Sequence, residues 1–142
     1  HAGTPGQPFQ IGPFQTYPAN LTPDMTGLGM HTDLQVFNAL RYGLDPETTP
    51  SVTITSTTPG TGNFPANPHY LAPPMPWTAY RHLTDDQIRA IVAYLKHGIK
   101  SVNNAVPAST GPPDFWAGNY VDANVGPPNT PNSPASNEEF KP

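Results

Sequence analysis

The chain has 142 residues with 21 prolines, 12 glycines, no cysteine, 35% hydrophobic residues and a formal net charge of −4. With only 6 Lys and Arg side chains it cannot track a phosphate backbone, and without thiols it forms neither disulfides nor thiolate metal centres. No apolar run approaches the roughly 20 residues of a membrane-spanning helix. Proline fixes φ and removes a backbone donor, so few regular elements are expected, separated by long loops. The low apolar fraction implies a small core that needs help from a cofactor or a partner surface.

Residues 1–31 read as loop, rich in Gly, Pro, Gln and Thr without sustained periodicity. A helix is expected over 33–42. Thr32 and Gln35 form a Thr-x-x-Gln capping box, Leu34, Phe37 and Leu40 make an apolar stripe, and Gly43 stops the element.

Residues 45–72 read as an irregular insertion loop. Within it Val52-Thr53-Ile54-Thr55 alternates and is β-branched, which points to a short strand or hairpin around the turn-forming 57–62 run. The strongest helix signal lies at 85–97. Thr84 and Gln87 repeat the capping box, and Asp85 and Asp86 suit the positive end of the helix dipole. Ile88, Ile91, Val92, Leu95 and Ile99 keep the spacing of a buried face, Lys96 and His97 suit the negative end, and Gly98 closes it. From about 103 onward Asn, Pro, Ser and Gly dominate. Alone, such a tail stays disordered, because it has few groups with which to offset the entropy of ordering. Phe115, Trp116 and Tyr120 are its anchors, either on the domain or, the favoured reading, on a partner.

The run Leu71-Ala-Pro-Pro-Met-Pro-Trp-Thr-Ala-Tyr-Arg-His-Leu-Thr-Asp-Asp-Gln-Ile-Arg-Ala-Ile-Val-Ala-Tyr-Leu resembles the C-terminal part of bacterial class I c-type cytochrome domains, especially cytochrome subunits of membrane-associated periplasmic dehydrogenases. Asn20-Leu21-Thr22-Pro23-Asp24 followed by Thr26-Gly27-Leu28-Gly29, and the segment Ala39-Leu40-Arg41-Tyr42-Gly43, resemble the same family in consistent order. The resemblance implies a mostly α, small cytochrome-c-like helical domain over 1–107, with 45–72 as an insertion loop and 108–142 as an extended Pro/Asn-rich tail. It also implies an extracytoplasmic location peripheral to a membrane, and partners that are other subunits of a redox complex, another cytochrome among them.

Two haem readings follow from the resemblance. Met75 stands where the family places its axial methionine, and the flanking Pro73, Pro74 and Pro76 stiffen the loop that would aim it. Taken alone, a methionine is better explained as packing material; the proline frame and the family context are what favour an axial ligand in the family's ancestry and leave a present-day ligand and packing evenly matched. The Cys-x-x-Cys of the family's attachment motif is absent. The preferred expectation is therefore a haem-free accessory or structural subunit of an electron-transfer complex, respiratory or photosynthetic, without enzymatic activity. The alternative is a genuine electron carrier whose cysteines lie upstream, with haem c held between His1 and Met75, which are 74 residues apart. In the haem-free reading, Trp77, Tyr80 and Tyr94 would fill the space a haem vacates.

The remaining candidates carry little. His97 fits helix-end electrostatics, His82 precedes a capping box, and His31 and His69 are isolated. His1 has copper-chelating chemistry but no accompanying ligand set. Asn20-Leu21-Thr22 matches a glycosylation sequon incidentally. Asp85 and Asp86 diverge on a helix and read as caps rather than an acid/base pair.

Overall fold

A computed structural model describes residues 7–110, 114, 117–126 and 128. Among these, two strands and four short α-helices appear in the order β1 (Phe9–Ile11), β2 (Phe14–Thr16), α1 (Asp33–Tyr42), α2 (Trp77–Tyr80), α3 (Asp85–Ala93) and α4 (Asp122–Val125). The mostly helical expectation agrees with this content.

Both capping boxes form as expected. The Thr32 hydroxyl accepts from the Gln35 amide and the Gln35 carboxamide accepts from the Thr32 amide, and Thr84 and Gln87 do the same for α3. Gly43 ends α1 in the left-handed conformation at φ 70°.

Three expectations need correction. The first 31 residues are not wholly loop. β1 and β2 pair antiparallel across a Gly12-Pro13 turn, and Gly12 at φ 57° supplies the conformation such a tight turn demands. Strands of three residues are too short for periodicity to reveal. Residues 52–55 form no strand. Their alternation is real, with Ile54 buried between exposed Thr53 and Thr55, but the backbone is held by single bonds, Thr55 N–H to Gly62 O at 2.8 Å and the Asn63 carboxamide to Thr53 O at 2.9 Å. Finally, the 85–97 helix is α only to Ala93, after which Tyr94–Gly98 make a π turn. Within that turn the Lys96 ammonium donates to Leu28 O and His31 O, clamping the helix end to the Leu28–Met30 turn.

Two small cores flank α1. The first joins Leu28, Val36, Leu40, Ile88 and Val92, where α1 crosses α3. The second joins Leu44, Ile54 and Phe64, with Tyr42, Val52 and Tyr70 packed against it. Because α1 is wedged between them, its buried residues include Asn38 and Arg41 besides Val36, Ala39 and Leu40, whereas Leu34 and Phe37 of the expected stripe are only partly buried. The 45–72 loop is thus a structural part of the domain. Full burial of an aliphatic or aromatic side chain stabilises by about 1.5–3 kcal/mol, so Ile54 and Phe64 contribute on a scale comparable with the helical core.

The described part of the tail also packs back. Thr110 exchanges bonds with Gln15 on β2, its amide donating to Gln15 O at 2.8 Å and its hydroxyl accepting from Gln15 N–H at 2.9 Å. Residues 117–126 form a short 3-10 turn (Ala117–Asn119) and then α4, lying over α2.

Candidate functional site

Met75 sits in a tight turn. Its amide donates to Ala72 O and its own carbonyl accepts from Trp77 N–H, both at 2.9 Å. Pro73, Pro74 and Pro76 lie exposed around it. The Met75 side chain is partly buried and packs against the first core, as do partly buried Leu21, Tyr80, Leu83 and Leu95. Met75 thus lies in a proline-flanked turn beside the helical core.

The Asn20–Gly29 segment proves to be a polar knot. Asn20 is 2% exposed. Its carboxamide nitrogen donates to Val102 O at 2.8 Å and to the Thr26 hydroxyl at 3.0 Å, and its oxygen accepts from the Thr22 amide and hydroxyl. The Thr22 hydroxyl accepts from Val102 N–H, and Thr26 Oγ1 from Asn104 N–H. Both glycines of the run are needed: a Cβ on Gly27 would lie 2.3 Å from Asn20 O, and one on Gly29 2.6 Å from Asp24 O. The knot ties the chain after the π turn to the loop before α1. Burial of the carboxamide also disposes of the sequon. Asp24 accepts from the Thr26 hydroxyl and amide at 2.7 and 2.9 Å, and these bonds hold its carboxyl below the ordinary carboxylate value.

Beside Met75 the chain enters α2, and Trp77 is 1% exposed. Its ring stacks on Tyr70 at 6.0 Å between centroids and receives Tyr120 edge-on at 4.7 Å. Tyr120, expected to anchor the tail, thus packs on this chain's own core. Phe115 and Trp116 lie outside the described residues. Asp122 holds the 117–126 segment down, accepting from Arg81 at 2.9 Å and from the Thr57 hydroxyl at 2.8 Å. Burial pushes Arg81 below its ordinary value, and burial raises the Tyr70 and Tyr120 hydroxyls. Of the aromatics expected to occupy haem space, Trp77 is buried under the tail, Tyr80, like Met75, packs against the first core, and Tyr94 is 61% exposed.

The histidines do not converge. His69 Nδ1 lies 2.6 Å from Asp114 Oδ2, His82 Nε2 lies 3.1 Å from Val125 O, and exposed His97 lies 3.4 Å from Asp33. His1 is outside the described residues, as are residues 2–6. Among the described residues no three His, Asp or Glu side chains are grouped to hold a metal ion. A groove of about 480 Å³ lies between α1, α3 and the 53–54 loop, lined by Phe37, Tyr42, Ile54, Arg89 and Val92, and Met75 is not in its wall.

Fit to a c-type haem is therefore divided. The Met75 thioether, on a stiff turn against apolar side chains, fits a soft axial ligand. Thioether attachment does not fit, because these 142 residues hold no cysteine. Among the described residues His69 and His82 are already engaged.

Sequence reasoning missed Arg41. It is buried, and its guanidinium joins α1 to the α2–α3 junction. The signal was a lone basic residue inside an otherwise apolar helix end. It also missed α2, whose cue was Pro76 just ahead of the first helical residue.

No protein-family model matches the chain. It is 32% identical over 109 residues to the cytochrome c subunit of a quinone alcohol dehydrogenase from Gluconobacter oxydans (strain 621H), covering 72% of this chain and 19% of that protein. It is 30% identical over 100 residues to the fructose dehydrogenase cytochrome subunit of Gluconobacter japonicus, covering 70% of this chain and 16% of that one. The chain spans less than a fifth of the length of either relative. No described helix is long and apolar enough to cross a membrane. Over most of its own length, then, this chain is similar to cytochrome subunits of dehydrogenases.

Proposed function

We propose that this chain is a cytochrome-c-like accessory module of an extracytoplasmic dehydrogenase electron-transfer complex, serving the assembly rather than performing its substrate chemistry. The observation that carries the reading is the Met75 turn, set in its three prolines and packed on the α1–α3 core. The two dehydrogenase cytochrome subunits it resembles support the same assignment. Its partners are other subunits of such a complex, another cytochrome among them. In this reading Met75 is a packing residue, and the module itself carries no haem.

A second reading rests on the same thioether. A Met held on a stiff turn against apolar side chains is suited to axial ligation, and a haem placed there would supply one-electron chemistry. His1 would be the opposite ligand, and the cysteines would come from outside these residues.

One measurement separates the two. The absorption spectrum and mass of the protein isolated from its native complex should lack a Soret band and any haem mass excess. A Soret band with one haem of added mass would establish the electron-carrier reading. Fractionation into the cytoplasm would overturn both.

A further inference from the structure

Two of the chain's 3 methionines flank one tight turn. Asp24 O accepts from Gly27 N–H and from Gly29 N–H, both at 2.9 Å, and Leu28 O accepts from His31 N–H at 3.1 Å. Met25 follows Asp24 and Met30 follows Gly29, so the two residues leave the chain on either side of the Asp24–Gly29 bond. Peptide dimensions across that bond keep their α-carbons within about 11 Å of each other. Their side chains are 68% and 63% exposed, more than any other large hydrophobic side chain among the described residues. Neither packs on the two cores, whereas Met75 does. His31 comes next in the chain and is partly exposed, and its ring takes part in no hydrogen bond or ion pair among the described residues.

We propose that this turn binds one soft monovalent cation, Cu(I), through the Met25 and Met30 thioethers and the His31 imidazole. Reach permits it. A methionine sulfur stands about 4 Å from its α-carbon and a soft metal–sulfur bond adds about 2.3 Å, so two thioethers meet one ion across about 12 Å. The unbranched side chains swing onto the ion without moving the backbone. Donor chemistry selects the ion. Thioethers select Cu(I), whereas hard cations need carboxylate, carbonyl or water oxygens. The nearest carboxylate in the chain is engaged: Asp24 accepts from the Thr26 amide and hydroxyl, from the Ser101 hydroxyl and from the Asn103 carboxamide. Charge selects the valence. The Lys96 ammonium donates to Leu28 O and His31 O, which places one positive charge on the same turn. A divalent ion meets twice the repulsion that a monovalent ion does.

The test titrates the full chain, labelled with ¹³C at the methionine ε-methyls, with Ag(I), a redox-inert probe for a Cu(I) site. One equivalent should shift the Met25 and Met30 methyl signals and leave that of Met75 in place. Zn(II) at the same concentration should shift neither. Competition against bicinchoninate under reductant then gives the Cu(I) affinity. Met25→Leu, Met30→Leu and His31→Phe should each lower it about tenfold or more, while Met75→Leu leaves it unchanged. The three turn side chains lie outside both cores, so these variants keep the fold, which far-ultraviolet circular dichroism checks. Absence of a methyl shift with Ag(I), a shift that reaches Met75 first, or an equal response to Zn(II) would overturn the proposal. So would a Cu(I) affinity that any of the three turn variants leaves unaltered.

Discussion

Arg41 on α1 holds Asp85, the first residue of α3, with 2.5 Å between the guanidinium and Oδ1. The same guanidinium donates to Arg81 O and Leu83 O, each at 2.6 Å. One buried cation thus fixes the end of α2, the linker and the start of α3 at once. Arg41→Met removes the bonds and leaves two carbonyls short of a donor. The expected loss is about 3 kcal/mol in urea unfolding, typical of breaking a buried network. Asp85→Asn should cost about 1 kcal/mol or less, because that carboxylate is 55% exposed. Equal losses would show that the carboxylate, rather than the carbonyls, dominates the contact.

Gly43 is required twice over. Its φ is 70°, and an added Cβ would fall 2.2 Å from the Trp77 ring. Gly43→Ala is expected to destabilise by about 3 kcal/mol, combining left-handed strain with overpacking, and to shift Trp77 fluorescence. Gly12 shares the positive φ but faces open space, so Gly12→Ala should cost only about 1 kcal/mol and leave the emission unchanged. Together the two variants separate backbone strain from steric conflict.

The parts of the molecule that were legible in the sequence are those governed by local chemistry. Thr32 with Gln35 and Thr84 with Gln87 announce helix starts because the capping groups lie within four residues of one another. Met75 announces a rigid turn because its prolines are adjacent. What stayed hidden depends on partners far apart in the chain. Arg41 meets Asp85 across 44 residues and Asn20 meets Val102 across 82, and neither spacing leaves a periodic trace. The tail composition pointed to disorder, yet Asp122 finds Arg81 and Thr57, contacts that no local propensity encodes. The alternation at Val52–Thr55 suggests a strand or hairpin that does not form, because alternation reports which side is buried, not whether a second strand is present to pair.

Acid stability should depend on the polar knot. The Thr26 hydroxyl and amide lower the Asp24 carboxyl from its ordinary value of 3.8. A carboxyl depressed in the folded state adds stability above its unfolded value, and that contribution is lost as pH falls through the folded one. Stability should therefore decline below pH 3.8 with a contribution that Asp24→Asn removes. The difference between the two proteins, followed by thermal unfolding at stepped pH, should shrink as pH falls through that window. A constant difference would mean that Asp24 acts by shape alone.

Alkaline pH tests the aromatic cluster. Burial raises the Tyr42, Tyr70 and Tyr120 hydroxyls above the ordinary 10.0. A raised folded value means stability that is complete below the unfolded value and lost as pH climbs through the folded one. Phenolate absorbance should show a late-titrating group of tyrosines whose ionisation coincides with exposure of Trp77. Tyr120→Phe should remove one late phenolate while keeping the ring on Trp77. Simultaneous titration of every tyrosine near pH 10.0 would contradict the packed cluster.

Met75 separates packing from ligation. Leucine nearly matches methionine in volume, and such a swap in a core costs less than about 1.5 kcal/mol. If Met75 serves as packing against the core of Leu28, Val36, Leu40, Ile88 and Val92, Met75→Leu should leave unfolding, the visible spectrum and co-purification with the dehydrogenase complex unchanged. Met75→Ala should lower stability by about 2 kcal/mol, the lower range for truncating a partly buried side chain. Ligation predicts the reverse ranking of effects, because leucine has no sulfur lone pair. Met75→Leu would then change the reduced-state absorption and lower the reduction potential of a bound haem while stability stayed near that of the unmodified chain. That outcome would reject the haem-free reading and assign the Met75 turn to electron transfer.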